Sequence, residues 1–433
     1  MRQRLADKIS GNLAGLWLLI PEYLRLGVWS LLTRWTGQDG AQVGPRLALQ
    51  LVNEAALCVT GMRQHRCLSQ RGFELAHGLP FVGSDQAMHE LLNAHTVADA
   101  EALQVELGMI RRARNHFKGA LLAIDPHRLH SYSKRQMIRY RGDQHTKPFK
   151  VAPTFFCLDA DTHQPVCFTT AVSAQSVAQA TPELLRLSAL ILNPQQQRPL
   201  VLADTEHYTG ELFAHVRQRT PFDLLVPMPK SDKLLARIRE LPPTAFVRRW
   251  AGFAIAVAEY QFTQYRQAQP YCQYIQRSGE RRGAYDYKAF LGTAQRDEVD
   301  DLTLNFPKRW HIEEFFNADQ ALGWNRAGTL NLNIRYGHMS TALVAEAAIY
   351  QFRNRLGSPF SEWDAAHMAS AVFQGLNGDI RVEHDTIVVT FYNAPNVDNL
   401  RAHYENLPAR LTQEGIDPRV PWLYNFKLDF RFR

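Results

Sequence analysis

Three carboxylates and one arginine stand where this sequence could do chemistry. Ala120-Leu121-Leu122-Ala123-Ile124 is an apolar run of strand length that ends at Asp125-Pro126. Arg198-Pro199-Leu200-Val201-Leu202-Ala203 repeats the arrangement and ends at Asp204. Glu313 lies in the segment Phe306 to Gln320, four residues after Arg309, so a helix would put both on one face. Sheet edges can bring such groups together across long stretches of chain. Three hard oxygen donors suit Mg2+ or Mn2+. Two such ions about 3.5–4 Å apart stabilise both the attacking and the leaving oxygen in phosphoryl transfer. Each residue also has a plain structural role open to it. Asp125 before a proline is a turn former. Asp204-Thr205 is a helix N-cap. Glu313 is a surface partner for Arg309.

The elements that must position these groups are readable from periodicity. Ile312, Phe315 and Phe316 form an apolar stripe that would pin the Glu313 helix, opening just after Pro307, to a core. Asp125 follows the first apolar strand. Val151–Leu158 and Pro165–Val172 read as a hairpin about the Asp159–Gln164 turn. Thr181–Leu192 reads as a helix opened by Thr181-Pro182-Glu183. The strand ending at Asp204, a helix over Thr209–Arg219 and a strand at Asp223–Val226 complete the series. Strand, strand, strand, helix, strand, helix, strand is the element order of a ribonuclease-H-like fold: α/β, a mixed sheet flanked by helices. Residues 230–301 are β-rich, with strand patterns at Phe253–Tyr265, Tyr271–Ile275 and Tyr287–Thr293.

Residues 1–118 read as a helical N-terminal domain with a turn-like stretch at Gly72–Gly83. Its last helix exits through Arg111, Arg112, Arg114 and Lys118, a basic end suited to DNA or simply to the helix dipole. The expected organisation is then 1–118 helical, 119–229 the first part of the core, 230–301 the insertion, 302–375 the rest of the core with the Glu313 helix, and 376–433 a C-terminal region. Within the last parts, Ser340–Leu356 and residues 362–374 read as helices, and Ile380–Tyr392 as a hairpin or strand.

Composition narrows the class. The chain has 433 residues, 45% of them hydrophobic, enough for real cores. Lys plus Arg number 49 against 42 Asp plus Glu, a net charge of +7 that favours a polyanionic partner. Five scattered cysteines without a CxxC pair argue against a disulfide framework or a structural zinc site, and fit a reducing, cytoplasmic setting. The apolar run Leu13–Ile20 is too short to span a bilayer and reads as a packed helix, so no membrane role is expected. Paired carboxylates also serve glycoside hydrolases, but the basic balance and the lack of a barrel-like repeat of strands and helices speak against that.

The segments around the acidic residues resemble those of a known family. Ala123-Ile124-Asp125-Pro126-His127, Leu202-Ala203-Asp204-Thr205-Glu206-His207-Tyr208 and the Arg309-Trp310-His311-Ile312-Glu313 core look like the three acidic motifs of bacterial insertion-sequence transposases of the DDE class. The branch in question carries a β-rich insertion before its Glu and the pattern Tyr, two residues, Arg, three residues, Glu, six residues, Lys. Arg309 and Glu313 match in type and spacing; the Tyr position is Phe306 and the Lys position is Gln320. The resemblance spans roughly residues 80–433. It implies that Asp125, Asp204 and Glu313 hold two Mg2+ or Mn2+ ions, and that the protein binds terminal inverted repeats of double-stranded DNA. It also implies cleavage at the element ends, strand transfer into target DNA, and a homodimer on paired ends, in the cytoplasm on the bacterial nucleoid. Arg309 would meet a phosphate near the scissile bond, as its planar fork suits. Lys134, Arg135, Arg248, Arg249, Arg281 and Arg282 are further DNA-contact candidates, and Trp250 would hold an extruded base or else be a core side chain. The competing reading is an inactive or domesticated relative that binds DNA without cutting it. His127, His207 and His311 crowd the three motifs without zinc spacing and read as supporting or DNA-facing groups.

Overall fold

The computed structural model describes residues 8–11, 13–59, 68, 70–131, 136–137, 139–141, 147–170, 176–265, 269–281, 283–324 and 329–433. The chain is mixed α/β and falls into two compact units. One comprises residues 1–114, 129–152 and 316–433; the other comprises residues 115–128 and 153–315.

In the first unit the 25-residue helix Leu332–Leu356 is buried over most of its length. It packs against the helices Gly44–Ala56, Asp85–Ala94 and Val97–Ala113. Close approach to the second of these requires Gly337, where a Cβ would come within 2.5 Å of the Leu92 side chain. Leu13–Ile20 is packed as expected, with Trp17 and Leu18 fully buried, and its first turns are 3-10 rather than α. Gly72–Gly83, expected as turn, holds the helix Arg71–Ala76, which buries Phe73 and Leu75. The C-terminal hairpin Asn377–Glu383 and Thr386–Tyr392 pairs with Ile9–Gly11 on one side and, in parallel, with Phe426–Phe432 on the other. Ile9–Gly11 and Phe426–Phe432 thus lie in one sheet.

The second unit holds the acidic residues. Its elements, with residues 129–130, 149–152 and 316–319 at the ends of β1, β2 and α4 counted to the first unit, are β1 (Leu121–His130), β2 (Phe149–Asp159), β3 (Gln164–Thr170), α1 (Val177–Leu192), β4 (Leu200–Leu202), α2 (Gly210–Arg219), β5 (Asp223–Pro227), α3 (Asp232–Arg239), β6 (Val247–Trp250), β7 (Phe253–Tyr260), β8 (Tyr271–Ser278), β9 (Asp286–Gly292) and α4 (His311–Asp319). The sheet order is β2-β1-β4-β5-β9-β8-β7-β6, with β3 and the short strand Arg139–Tyr140 each paired to β2. β1, β4 and β5 are parallel, and β2 and β3 form an antiparallel hairpin. Strand alternation puts helices on both faces. Cys167 turns to α1, its thiol meeting the Leu184 carbonyl, whereas its neighbour Phe168 stacks toward Phe156, which meets Phe315 of α4.

Two expectations need correction. β1 does not stop at Asp125 but runs to His130 with Pro126 inside it. α1 begins at Val177 under a capping box from Ser176 and Gln179, so Pro182 is interior rather than opening; the Thr181 hydroxyl donates to the Val177 carbonyl one turn back. The β-rich stretch supplies β6–β9. β9 pairs with β5, which extends the core sheet and covers an edge that would otherwise be open.

Candidate functional site

Asp125 sits in β1 with a strand on each side, but β4 pairs only with Leu121–Ala123. Asp125 therefore projects past the last ladder bond of that parallel pair, at the carboxyl end of the sheet, where open α/β sheets place their sites. Its side chain is 15% exposed. Asp204 follows β4 after Ala203 and is indeed an N-cap: its carboxylate accepts from the Glu206 N–H of the short 3-10 turn Thr205–His207. The same oxygen lies 2.7 Å from His207 Nδ1, and His207 is buried beneath it. Arg128 of β1 pairs with Glu206, which ties the strand bearing Asp125 to the turn after Asp204.

Glu313 belongs to α4. The helix proper starts at His311, so Arg309 is on a preceding 3-10 turn, Phe306–Trp310, rather than on the helix with Glu313. Pro307 at the head of that turn fixes its backbone but supplies no N–H, which suits a tight entry. Four contacts hold α4 in place. Ile312 and Phe315 are buried, Phe315 against Phe156. His311 Nδ1 lies 2.7 Å from the Ala160 carbonyl, with the His163 ring beside it, and Lys308 pairs with Asp161 at 2.6 Å. The β2–β3 turn is thus the anchor of the Glu313 helix.

Arg309 links the acidic residues. Its Nη2 is 2.8 Å from Glu313 Oε1, and its Nη1 is 4.0 Å from Asp125 Oδ1. Electrostatics show that all four groups share one neighbourhood. Burial pushes the Asp125 carboxyl up; the Asp204 charge adds to this, Arg309 opposes it, Glu313 adds again and Arg128 opposes, leaving it at about 7. Burial also pushes Asp204 up, but the hydrogen bond and charge of His207, the Glu206 N–H and Arg309 outweigh it and hold Asp204 below the usual carboxylate range. Two acids from neighbouring strands are thereby driven apart in proton affinity.

The donor chemistry fits a hard divalent cation: three carboxylates share a single unshared guanidinium, and the most buried of them ionises reluctantly for want of positive charge. The spacing does not. Among the described residues, no group of three or more His, Cys, Asp or Glu side chains is arranged to hold a metal ion. Arg309 bridges the acids instead.

The remaining candidates do not gather here as a set. Arg248, Arg249 and Trp250 form the exposed edge strand β6. Trp250 is 47% exposed and stacks on Phe253, so it is not a core side chain. Arg249 pairs with Glu298. Arg281 is exposed in the loop between β8 and β9. Lys134, Arg135 and Arg282 lie outside the described residues. His127 is half-buried, and desolvation of its ring pushes the imidazole down to about 4. The sequence reading passed over Arg128, Glu206 and Asp161, whose pairings align the acids; only the proximity of Arg128 and Glu206 to Asp125 and Asp204 in sequence could have hinted at two of them. Phe306 packs edge-on against Phe290, 4.8 Å between ring centres.

Among the described residues no helix is long and apolar enough to cross a membrane. No protein-family model matches the chain. No curated protein matches it either. Among solved structures, the chain is similar to a piggyBac transposase synaptic complex with hairpin DNA, determined by cryo-EM, at 10% sequence identity and a TM-score of 0.41 over 85% of this chain and 83% of that one. A likeness at this level says nothing of activity.

Proposed function

We propose that the protein is a DNA transposase of the DDE class, which cleaves the ends of its own element and joins them to target DNA by metal-dependent phosphoryl transfer. The observation that carries this is the meeting of Asp125, Asp204 and Glu313 around Arg309, from segments far apart in sequence, at the carboxyl end of a sheet ordered β2-β1-β4-β5. That order, with β2 and β3 as a hairpin and helices on both faces, supports a ribonuclease-H-like core. Asp125, Asp204 and Glu313 would hold Mg2+ or Mn2+. Held there, such ions would supply charge stabilisation to the attacking and leaving oxygens. His207 fixes the Asp204 carboxylate, Arg128 and Glu206 hold its turn against β1, and Ile312 and Phe315 seat Glu313. Arg309 offers a phosphate two parallel donors. The net charge of +7 and the exposed cations of β6 suit a DNA track, with two copies acting on paired ends on the nucleoid.

The test is nicking of a labelled duplex carrying the DNA that flanks the gene, with Mg2+ or Mn2+. Asp125→Ala, Asp204→Ala and Glu313→Ala should each abolish cleavage and leave duplex binding in place. Near-normal metal-dependent cleavage by any one of them would remove it from the site.

A second reading, DNA binding without cleavage, is favoured by two observations: Phe306 is turned into packing against Phe290, and Arg309 fills the acidic cluster. Wild-type protein that binds the duplex at low salt but never nicks it would establish that reading.

A further inference from the structure

We propose that the tip formed by the end of β1, the short strand Arg139–Tyr140 and the start of β2 is a sequence-independent clamp for the phosphate backbone of duplex DNA. This rests on the DNA reading above and adds a surface that holds the duplex. The distribution of charge along the chain points to it first. Residues 129–152 hold six Lys and Arg against one Asp, a balance of +5 in a chain whose whole balance is +7. The rest of the chain is therefore nearly balanced, and the attraction for a polyanion is concentrated in this one segment.

The local structure points the same way independently. Arg139 stands directly opposite Lys150, and Tyr140 opposite Phe149, in an antiparallel pair. Side chains alternate between the faces of a strand, so the two cations share one face and the two aromatics the other. The aromatic face is packed. The His130 ring stacks on Phe149, 3.7 Å between centres and 3° from parallel, and Tyr140 meets the Phe149 ring edge-on. The Ser131 N–H donates to the Lys150 carbonyl at 2.9 Å, which fastens the end of β1 to the start of β2. The cationic face is the reverse. Like charges directly opposite one another weaken a strand pair, so Arg139 and Lys150 are set against the stability of the tip itself. Arg141 and Lys147 flank the two strands, and both are exposed, as is Arg139. Among the described residues none forms an ion pair with Arg139, Arg141 or Lys147. Cations held side by side on a paired backbone suit a partner whose negative charges repeat along a line, and a duplex backbone is such a partner. A phosphate lying across the face turns the repulsion into attraction. Such contacts hold the duplex without reading its sequence.

Binding of the full-length protein to a labelled duplex of unrelated sequence, followed over a range of salt concentrations, tests the clamp without relying on cleavage. The logarithm of affinity should fall linearly with the logarithm of salt concentration. The triple variant Arg139→Ala, Arg141→Ala, Lys147→Ala should flatten that slope by about 0.9 for each cation removed, about 2.7 in all. The same flattening should be seen on the DNA that flanks the gene, because phosphate contacts carry no sequence information. Arg139→Lys with Arg141→Lys should keep the slope. Lys233, Arg237 and Arg239 of α3 are also exposed. Replacing those three by Ala removes the same charge and should change the slope by less than about 1. Arg139→Glu sets opposite charges across the strand pair, so it should raise the melting temperature while weakening DNA binding more than Arg139→Ala does; loss of binding is then not loss of fold. An unchanged slope in the triple variant, or equal flattening by the α3 variant, overturns the clamp and leaves the DNA reading standing: the charges would then only blunt an open strand edge. Wild-type protein that binds no duplex even at low salt overturns both.

Discussion

Two clusters of acids and arginines, the one around Glu22 in the first unit and the one around Asp125 in the second, are wired in opposite ways. In the first unit Glu22 is fully buried and fully engaged. Its carboxylate accepts from Arg25 at 2.6 Å, Gln351 at 2.6 Å and the Tyr404 hydroxyl at 2.7 Å, with Arg355 at 3.3 Å. Arg25 is shared with Glu414. In the second unit Asp125 has two acidic neighbours and its nearest guanidinium group at 4.0 Å, beyond hydrogen-bond reach. The residue types are the same; the balance differs. A buried acid with donors on every side joins distant segments, here residues 22, 351, 404 and 414, into one core. A buried acid short of donors does little for the fold and keeps an appetite for a cation.

The comparison can be broken from either side. The largest expected effect is on chemistry: Asp125→Ala should lower metal-dependent cleavage by about 10³-fold, the equivalent of several kcal/mol of charge stabilisation, with little loss of stability by urea denaturation. Glu22→Ala should do the reverse. It takes from buried Arg25 one of its two acid partners and from Gln351 and Tyr404 their shared acceptor, a loss of about 3–5 kcal/mol, read as a lower urea midpoint, while cleavage by the remaining folded protein persists.

Proton linkage separates the clusters by sign. The folded-state value of Asp125 is raised to about 7, so in EDTA its contribution to stability is complete below the ordinary aspartate value near 4 and is lost as pH rises through about 7. The loss is at most about 4 kcal/mol, less as Asp204 and Glu313 share the protons, and Asp125→Asn should flatten it. Glu414 behaves oppositely. Burial raises it, but the hydrogen bond and charge of Arg25 outweigh that and hold it below the usual range. Its contribution is present above the ordinary glutamate value and lost as pH falls through its lowered one, and Glu414→Gln should remove that acid limb. Urea midpoints from pH 3 to 8 would show both.

A smaller effect is expected one shell out. His207→Ala frees the Asp204 carboxylate and should cost about 10–100-fold in Mn2+ affinity, the usual weight of an orienting partner. The smallest concerns β6. Arg248→Ala should lower the salt slope of duplex binding by about 1, whereas Arg249→Ala should lower it less, since Glu298 already engages that guanidinium.

Much of this was legible in the chain. Apolar runs marked β1 and β4 and put Asp125 and Asp204 near their ends, because the period of a strand is local. The stripe Ile312, Phe315 and Phe316 marked the Glu313 helix for the same reason. Local pattern did not reveal that β1 continues through Pro126, nor that Pro182 is interior to α1, since a proline's tolerance depends on which neighbour its missing N–H would have met. It did not reveal that Trp250 is on an edge strand, because exposure is decided by what packs alongside.

The sequence by itself determined which acids could act and which elements carry them, through residue type and periods of a few residues. Only the tertiary structure decided that residues 1–114 and 316–433 share one unit, that β9 extends the core sheet, and that Arg309 stands among three carboxylates while Glu22 is surrounded by donors. The reason is physical: periodicity is encoded between neighbours along the chain, whereas the proton affinity of a buried acid depends on its burial and on charges brought to it from distant segments.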